Sequence, residues 1–390
     1  MSIKGKAYIT GIFEHPTRLA TDKTVPQLHA ECAKGALEDA GLTKNDIDGY
    51  FCAAGDTPGL GCLSMVDYMG LKLKHMDSTD TGGSSYLLQV GHVAEAIAAG
   101  KCSIALVTLA GRPRAENVAT GTAPRTPPVP MPESGFELPF APATANMYAM
   151  AAMRHMHEYG TTSEQLAWVK VAASHHAQHN PHAMLRDVVT VEDVVNSPMI
   201  ADPLHRLDCC VISDGGGALI MTTPEIAKSL KRPLVKVVGC GEAPKHQMGG
   251  KVDLTYSGAV WSGPLAFAEA GIKHGDIKYA SIYDSFTITV VMQLEDLGFC
   301  EKGQGGRFVS DGNLISGVGK LPFNTDGGGL CNNHPSNRGG LTKVLEAVRQ
   351  LRGEAHPAVQ VKNCDLALAH GTGGSLGTRH AAATVIMERE

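Results

Sequence analysis

The chain is 390 residues long, with 43% hydrophobic and 19% charged residues. This length exceeds what one ordinary core holds and predicts two domains. The net charge of −5 gives no basic surface, so binding of nucleic acid is not expected. No signal peptide, membrane span or Cys-x-x-Cys pair is recognisable, although the chain has 10 cysteines. We therefore expect a reduced, cytoplasmic protein without a membrane anchor, a disulfide framework or a metal site of its own.

The first elements alternate between strand and helix patterns. A β pattern covers 7–13, and a helical pattern runs from Thr24 to about Ala40 and ends at Gly41. The alternation continues to a strand at 106–111. Such an order predicts an α/β domain with a mostly parallel sheet.

The alternation stops after the strand at 106–111. A segment rich in Pro, Gly and Thr follows, and then helical patterns occur at 144–159 and 163–179. A strand-like run at 209–223 should rejoin the first sheet. We interpret 112–205 as an insertion in a first domain of residues 1–230. A second domain, 231–390, repeats the alternation from about 235 onward.

The chain contains an internal duplication. ALEDAGLTKNDID at 36–48 corresponds to AFAEAGIKHGDIK at 266–278, an offset of 230 (266 − 36). Downstream, GGSSY at 82–86 and GGGLC at 327–331 each precede a helical pattern and a strand. A period this long indicates duplicated domains, not a solenoid. It predicts two pseudo-twofold halves with a site where they meet.

Polar residues gather at one glycine-rich turn of the second half. FNTDGGGLCNNHPSNRGG at 323–340 places Asn324, Asn332, Asn333 and His334 around that turn, just before a helix. A histidine titrates near neutral pH and can move protons to or from a carbon acid. We favour a functional over a purely structural His334 because of this company.

This stretch resembles the thiolase superfamily signature, in which an Asn-x-x-Gly-Gly turn leads to Gly-His-Pro. Residues 201–221 resemble the segment that closes the first domain in thiolases of the sterol-carrier-protein-2 type. IYDSFTIT at 282–289 resembles their His-Asp-x-Phe element, and 174–187 resembles their loop-domain helix. The resemblance implies an α/β fold of two pseudo-twofold-related αβαβα layered domains with an inserted loop domain.

The sequence departs from the family at both of its catalytic cysteines. The acyl-accepting Cys would stand at Gly83, and the Cys that acts as base would stand at Gly371. Ser84 or Ser85 could substitute as a nucleophile, but a hydroxyl there is more typical of a cap at the start of a helix.

A tyrosine stands where thiolases have Asn or His in the oxyanion-hole element. A phenol such as Tyr283 could donate to an enolate oxygen or, if its pKa were lowered, deprotonate a hydroxyl. The thiolase-like aldolases of steroid side-chain breakdown resemble this arrangement. They have a further Tyr where this chain has Asn332. We predict catalytic roles for His334, Tyr283 and Asn332, with His334 and Tyr283 converging below Gly83, although Tyr283 could instead be a packing residue.

The resemblance implies a coenzyme A thioester as substrate and further residues that would bind it. We expect backbone groups and polar side chains around the glycine turns to surround the thioester. These candidate binding residues are Gly83, Ser84, Ser85, Asn324, Gly328, Gly371, Gly373 and Gly374.

Three functions stay open. The first is an aldol or retro-aldol enzyme that acts on acyl-CoA without an acyl-enzyme. The second is an ordinary acyltransferase with an unplaced nucleophile, and the third is a non-catalytic acyl-CoA-binding subunit. The resemblance also implies a homodimer and a small OB-fold partner protein that would carry its own zinc ribbon.

Overall fold

A computed structural model describes residues 2–121, 143–245, 253–335, 339–374, 376 and 380–390. The Pro-rich part of the predicted insertion, 122–142, therefore lies outside the described residues. So does part of the glycine-rich segment that follows residue 374.

Before the insertion, the described part of the first half contains four strands and three helices of more than one turn, in the predicted alternating order, and a fifth strand of its sheet follows the insertion. The strands are β1 (Tyr8–Glu14), β2 (Gly49–Phe51), β3 (His75–Asp77), β4 (Ile104–Gly111) and, after the insertion, β7 (Gly215–Thr222); the helices are α1 (Val25–Ala40), α2 (Cys62–Met69) and α3 (Ser85–Ala98).

Helix α1 shows how local sequence sets these elements. Thr24 accepts a hydrogen bond from the Gln27 backbone, and the Gln27 side chain accepts one from the Thr24 backbone, which forms a capping box. Gly41 ends the helix at φ 71°, a left-handed conformation that a residue without Cβ adopts readily. Both predicted ends are confirmed.

The second half repeats the first. Its elements are β8 (Val235–Pro244), α8 (Ala259–Ala270), β9 (Tyr279–Ile282), α9 (Thr287–Asp296), α10 (Gly305–Val309), α11 (Gly328–Cys331), α12 (Gly340–Arg352), β10 (Leu366–Gly374) and β11 (His380–Arg389). The 3₁₀ turns at Lys44–Asp46 and His274–Asp276 keep the offset of 230. The duplication seen in the sequence is therefore a duplication of structure.

The strands form one mixed sheet whose two ends mirror each other. Its order is β3-β2-β4-β7-β1-β8-β11-β10-β9, and the halves join where β1 pairs with β8 at Tyr8 and Lys236. The first half has two parallel pairs, β3–β2 and β2–β4, and the second half has one, β9–β10; in each half two antiparallel pairs follow toward the middle of the sheet. Since antiparallel pairs outnumber parallel ones, the expectation of a mostly parallel sheet is wrong. The equivalent order of strands is the pseudo-twofold relation that the sequence predicted.

Helices pack against the strands of each half, and two of them contact strands of both halves. Helix α1 packs on β1, β4 and β7, and α8 packs on β8 and β11. Helices α3 and α12 contact each other and strands of both halves. This layering buries a core between the halves and brings the first turns of α3 and α12 close together. None of the helices within the described ranges is long and apolar enough to cross a membrane.

The described part of the insertion is mainly helical. It contains α4 (Thr144–Tyr159), α5 (Ser163–Ala177), α6 (Val191–Val195), β5 (Met199–Ala201) and β6 (Leu204–His205), and α7 (Pro224–Ser229) follows β7. The strand predicted at 209–223 is shorter than expected. Residues 209–213 leave the sheet and form isolated bridges to loops of the second half, at Phe286 and Pro335.

Candidate active site

Tyr283 and His334 meet in the interior of the molecule. Tyr283 directly follows β9, and its backbone N–H donates to the carbonyl of His370 in β10, at 3.0 Å. Its hydroxyl lies 2.9 Å from Nε2 of His334, within hydrogen-bond distance, and both side chains are buried. The predicted convergence of these two side chains is confirmed.

The first half of the chain holds the turn that carries His334. The backbone N–H of His334 donates to the Ser213 hydroxyl at 2.9 Å, and the adjacent Pro335 forms a bridge with Ser213. Further back, the N–H of Val211 donates to the carbonyl of Gly329. Segment 209–213 thus leaves the sheet in order to fix the position of His334.

The Tyr283 phenol occupies the space that a side chain at position 83 would need. A Cβ built on Gly83 would lie 2.5 Å from Cζ and 2.6 Å from Oη of Tyr283. It would also lie 2.3 Å from the carbonyl oxygen of Thr372, a backbone atom that cannot move aside easily. Position 83, at the start of α3, therefore accepts no nucleophilic side chain while Tyr283 stands where it does.

The second glycine position is also crowded, although its shortest contact is with the end of a flexible side chain. A Cβ on Gly371 would lie 2.5 Å from the side chain of Leu87 and 3.3 Å from the carbonyl oxygen of Gly83. A Cβ on Gly373 would lie 2.0 Å from the carbonyl oxygen of Thr81. The last residues of β10, which end at Gly374, thus pack directly on the Gly82–Gly83 turn, and both cysteine positions of a thiolase would fall on this contact.

Ser84 and Ser85 are engaged locally. The Ser84 hydroxyl donates to the carbonyl of Thr81, and the Ser85 hydroxyl donates to the carbonyl of Gly82 at 2.7 Å. Ser85 also accepts a hydrogen bond from the Thr81 backbone N–H. These contacts stabilise the turn before α3, but they differ from the helix cap that we predicted, because the hydroxyls donate to carbonyls of the preceding turn. The one carboxylate recorded at either serine in the described residues is that of Asp80, at 3.4 Å from the Ser85 hydroxyl, and this hydroxyl makes its shorter hydrogen bond to the Gly82 carbonyl.

The Tyr283 phenol is held in its protonated form. Its burial, with the charge of Asp284 acting in the same direction, raises its pKa well above the ordinary value of 10. A hydrogen bond from the Gly339 backbone acts in the opposite direction. We expected that Tyr283 could act alone as a base only if its pKa were lowered. That condition is not met, because the pKa is raised.

Asn324 and Gly328 shape the glycine-rich turn. The Asn324 amide donates to the carbonyl of Ile282 at 2.8 Å and accepts from its N–H at 2.9 Å, so it extends the end of β9. Asn324 has a left-handed φ of 41° and Gly328 one of 59°. A Cβ on Gly328 would lie 2.2 Å from a carboxylate oxygen of Asp284. Both residues bring α11 close to β9, and neither has a side-chain atom pointed at Tyr283.

Asn332 does not join the catalytic pair. Its Oδ1 accepts from Arg18 at 2.8 Å, and its Nδ2 donates to Glu14 at 3.1 Å and to Asp326 at 3.0 Å. The amide oxygen thus accepts one hydrogen bond from a protein group, and both amide hydrogens are donated to carboxylates. The catalytic role of Asn332 stays a prediction, and the structure places its side chain in a network with Arg18, Glu14 and Asp326.

Sequence reasoning missed three residues that build the site. Asp284 accepts backbone hydrogen bonds from Gly329 and Leu330 at the start of α11, and Lys343 lies 2.6 Å from Asp284 in a fully buried ion pair. Asp284 was visible in the Tyr-Asp-Ser-Phe element, whereas no local signal identifies Lys343. Tyr148 of α4 stacks on Phe286 with ring centroids 4.5 Å apart. It lies in the insertion, and nothing in the local sequence there indicates which residue faces the site.

Comparisons with known proteins agree with this architecture. The family described as "Thiolase C-terminal domain-like" matches residues 241–389. The chain is 34% identical to an acetyl-CoA acetyltransferase of Methanothermobacter thermautotrophicus over 92% of this chain and 93% of that protein. It is also 34% identical to a steroid side-chain-cleaving aldolase of Thermomonospora curvata over 90% of this chain and 91% of that protein.

A solved structure extends the likeness to three dimensions. The Ltp2-ChsH2(DUF35) aldolase superposes with a TM-score of 0.88 at 31% identity, covering 99% of this chain and 98% of that chain. The similarity therefore includes the insertion as well as both halves.

Proposed function

The chain belongs to the thiolase superfamily, and we propose that it cleaves or forms a carbon–carbon bond next to a coenzyme A thioester by an aldol route, without an acyl-enzyme. The observation that carries this proposal is the Tyr283 phenol over Gly83, hydrogen-bonded to His334. A thiolase would need a thiol where the phenol lies.

The pair suits removal of a proton from a β-hydroxyl group. Because its pKa is raised, the Tyr283 phenol keeps its proton. In the tautomer that we propose for His334, Nε2 accepts the hydrogen bond from this phenol. In the retro-aldol direction, Oη accepts the substrate hydroxyl proton while its own proton passes to His334. The histidine is the final base, and the phenol relays the proton.

Loss of that proton breaks the bond between the α and β carbons. The β carbon becomes a carbonyl, and the electron pair moves into the thioester as an enolate. Protonation of the α carbon then releases the shortened acyl-CoA. No free coenzyme A is consumed, and no bond to the protein forms. Backbone groups near Gly83 and Gly374 are proposed to surround the thioester, where fixed dipoles would stabilise the enolate.

The substrate we propose is a β-hydroxyacyl-CoA with a bulky acyl group of the steroid side-chain type. The steroid side-chain-cleaving aldolase of T. curvata, 34% identical, supports that choice. The acetyl-CoA acetyltransferase relative, at the same identity, supports the coenzyme A thioester but also keeps the acyltransferase as the second candidate. The backbone contact that closes position 83 favours the aldol route over it.

We also propose a homodimer and a partner protein of the DUF35 type. Strand β3 ends the sheet, and the nearby Leu63, Tyr68 and Met76 are exposed, so this edge suits pairing with a second copy. The partner is supported by the similar aldolase, whose name pairs Ltp2 with ChsH2(DUF35). Any zinc ribbon would belong to that partner.

The experiment incubates the purified chain, with and without a DUF35-type partner, with β-hydroxyacyl-CoA and separately with β-ketoacyl-CoA plus free coenzyme A. We expect cleavage of the hydroxy substrate to a carbonyl product with total coenzyme A thioester conserved. Thiolysis of the keto substrate that consumes free coenzyme A would support the acyltransferase instead. Binding without turnover of either substrate, with the partner present, would support a non-catalytic subunit.

A further inference from the structure

A largely buried group of ionic side chains contacts Asn332 and Asn333, the two residues directly before His334. We call it the inter-half ion cluster. Two members come from the first half of the chain and three from the second. They are Glu14 at the end of β1, Arg18 in the following loop, Asp326 before α11, and Glu346 and Arg349 on α12.

Arg18 donates hydrogen bonds to Asn332 from two different nitrogen atoms. Its Nε donates to the backbone carbonyl of Asn332 at 3.2 Å, and one terminal nitrogen donates to the side-chain oxygen at 2.8 Å. The other terminal nitrogen donates to the carbonyls of His15 and Thr17. A planar guanidinium that is anchored on its own loop can fix both groups of Asn332, and a lysine cannot reproduce that geometry.

Glu14, which also belongs to the first half, accepts hydrogen bonds from the same segment. One carboxylate oxygen accepts from Arg18, Asn332 and the side chain of Asn333, the residue directly before His334. The other accepts from Arg349 at 2.8 Å. Burial raises the pKa of Glu14, but Arg349 and Arg18 outweigh it and hold the pKa at about 2, so Glu14 stays charged.

The cluster has more carboxyl groups than cations. Glu14, Asp326 and Glu346 are three acids, whereas Arg18 and Arg349 are two bases. The nearest further cation, Lys343, is 2.6 Å from Asp284 and balances that carboxylate. Because an uncompensated buried charge is costly, the neutral cluster needs one proton on an acid.

We propose that Glu14 and Arg18 are positioning residues that hold His334 within hydrogen-bond range of Tyr283, and that their cluster keeps one proton shared by Asp326 and Glu346 in the active protein. The inference rests on the proposed role of His334 in proton transfer. It gives the first half a role beyond the backbone turn at Gly83, because side chains of the first half hold His334 in place.

The shared proton makes the positioning depend on pH. Burial and the charge of Asp326 raise the pKa of Glu346 to about 7, and burial also raises the pKa of Asp326. An acid whose pKa is higher in the folded state stabilises the fold below its unfolded value near 4.5 and loses that contribution as pH rises through 7. The groups that face Glu346 or share its cavity are Thr325, Tyr279, Arg349, Asp326, Glu14, His15, Arg18, His179, His182, Glu354 and His356.

The first test replaces Arg18, which binds Asn332 through two nitrogen atoms. For Arg18→Lys we expect kcat to fall about 10- to 100-fold while KM stays within about threefold, since a small displacement of a reacting group has effects of this size. Arg232→Lys, which alters a surface arginine paired with Asp39 and Glu354, is the matched control and should change neither constant. Should Arg18→Lys fail to fold, Asn332→Ala cuts the same link and should show the same loss. Full kcat in a folded Arg18→Lys or Asn332→Ala protein overturns the positioning role.

A spectroscopic test needs no substrate and so separates this inference from the proposed function. In protein labelled with ¹⁵N-histidine, the Nε2 resonance of His334, assigned with His334→Gln, reports its hydrogen bond to Tyr283. We expect Arg18→Lys and Tyr283→Phe to shift this resonance in the same direction. An unmoved resonance in Arg18→Lys contradicts the proposal even if the wild type cleaves no β-hydroxyacyl-CoA.

The second test concerns the shared proton. Wild-type kcat should fall as pH rises above about 7, and Glu346→Gln, which keeps the neutral shape, should flatten that decline. Glu354→Gln, a more exposed carboxyl on the same cavity, should leave it unchanged. An equally steep decline in Glu346→Gln rules out the shared proton.

Discussion

The Gly83 turn of the first half and the Tyr283–His334 pair of the second half occupy one site, but they have been built in opposite ways. The first is backbone only, pressed against the end of β10, with no room for a side chain. The second supplies a phenol and an imidazole 2.9 Å apart. Duplicated elements therefore did not keep duplicated chemistry. One half provides a close-packed backbone turn, and the other provides the two side chains to which we assign proton transfer.

Removing the phenol oxygen tests the reactive side of this comparison and should have the largest effect. Tyr283→Phe removes the relay, so we expect kcat to fall about 10²- to 10⁴-fold, the usual contribution of a positioned acid or base. Steady-state cleavage of β-hydroxyacyl-CoA measures it. Tyr68→Phe, at an exposed tyrosine, is the control. Turnover within about threefold of wild type in Tyr283→Phe would leave Tyr283 a packing residue.

Adding a methyl group at position 83 tests whether the Gly83 turn has room for a side chain. Gly83→Ala places Cβ 2.3 Å from the Thr372 carbonyl, so we expect a loss of about 1–3 kcal/mol in unfolding free energy, as for an overpacked core, together with reduced kcat. Gly275→Ala has no atom within 4 Å of the new Cβ and serves as the control. Denaturant unfolding measures the difference. Equal stabilities for the two variants would mean that position 83 has room for a side chain after all.

The comparison also requires the halves to stay in register, and His92 contributes to this. His92 on α3 contacts Asp77 of β3 at 2.6 Å and Glu242 of β8 at 3.1 Å. Hydrogen bonds to these two carboxylates raise its pKa to about 10, from an ordinary value of 6.5. Protonated His92 therefore stabilises the fold fully below pH 6.5, and this contribution is lost as pH rises through 10.

His92→Gln should accordingly remove part of the alkaline loss of stability. The site is partly exposed, so we expect a difference of at most about 1 kcal/mol between the wild type and the variant at pH 6, and a smaller one at pH 10. Denaturant unfolding at the two pH values measures this. A constant difference at both pH values would show that the charge of His92 has no part in it.

Replacing Ser84 should have the smallest effect on catalysis. Ser84→Ala removes hydrogen bonds within the turn, and we expect a loss of about 1 kcal/mol in stability with kcat within about threefold of wild type. Thermal unfolding and the cleavage assay measure the two quantities. Loss of all turnover, in a protein that folds, would identify Ser84 as the nucleophile and restore the acyltransferase.

Patterns local in sequence predicted much of this molecule. The offset of 230 predicted the paired elements, and the family motif placed both missing cysteines on Gly83 and Gly371. Tyr283 and His334 could be paired because each lies in a recognisable motif. The contact that engages Asn332 could not be foreseen, because Arg18 is 314 positions away in the chain. The protonated state of Tyr283 could not be predicted either, since it depends on burial in the folded protein and not on the neighbouring residues in the sequence.

Rapid-quench mass spectrometry of the intact protein during a single turnover tests the central claim most directly. With β-hydroxyacyl-CoA and no free coenzyme A, we predict that carbonyl product appears while the mass of the protein stays that of the unmodified chain at every time point. A transient mass increase equal to the acyl group, formed at least as fast as the product, would show an acyl-enzyme and contradict the non-covalent route.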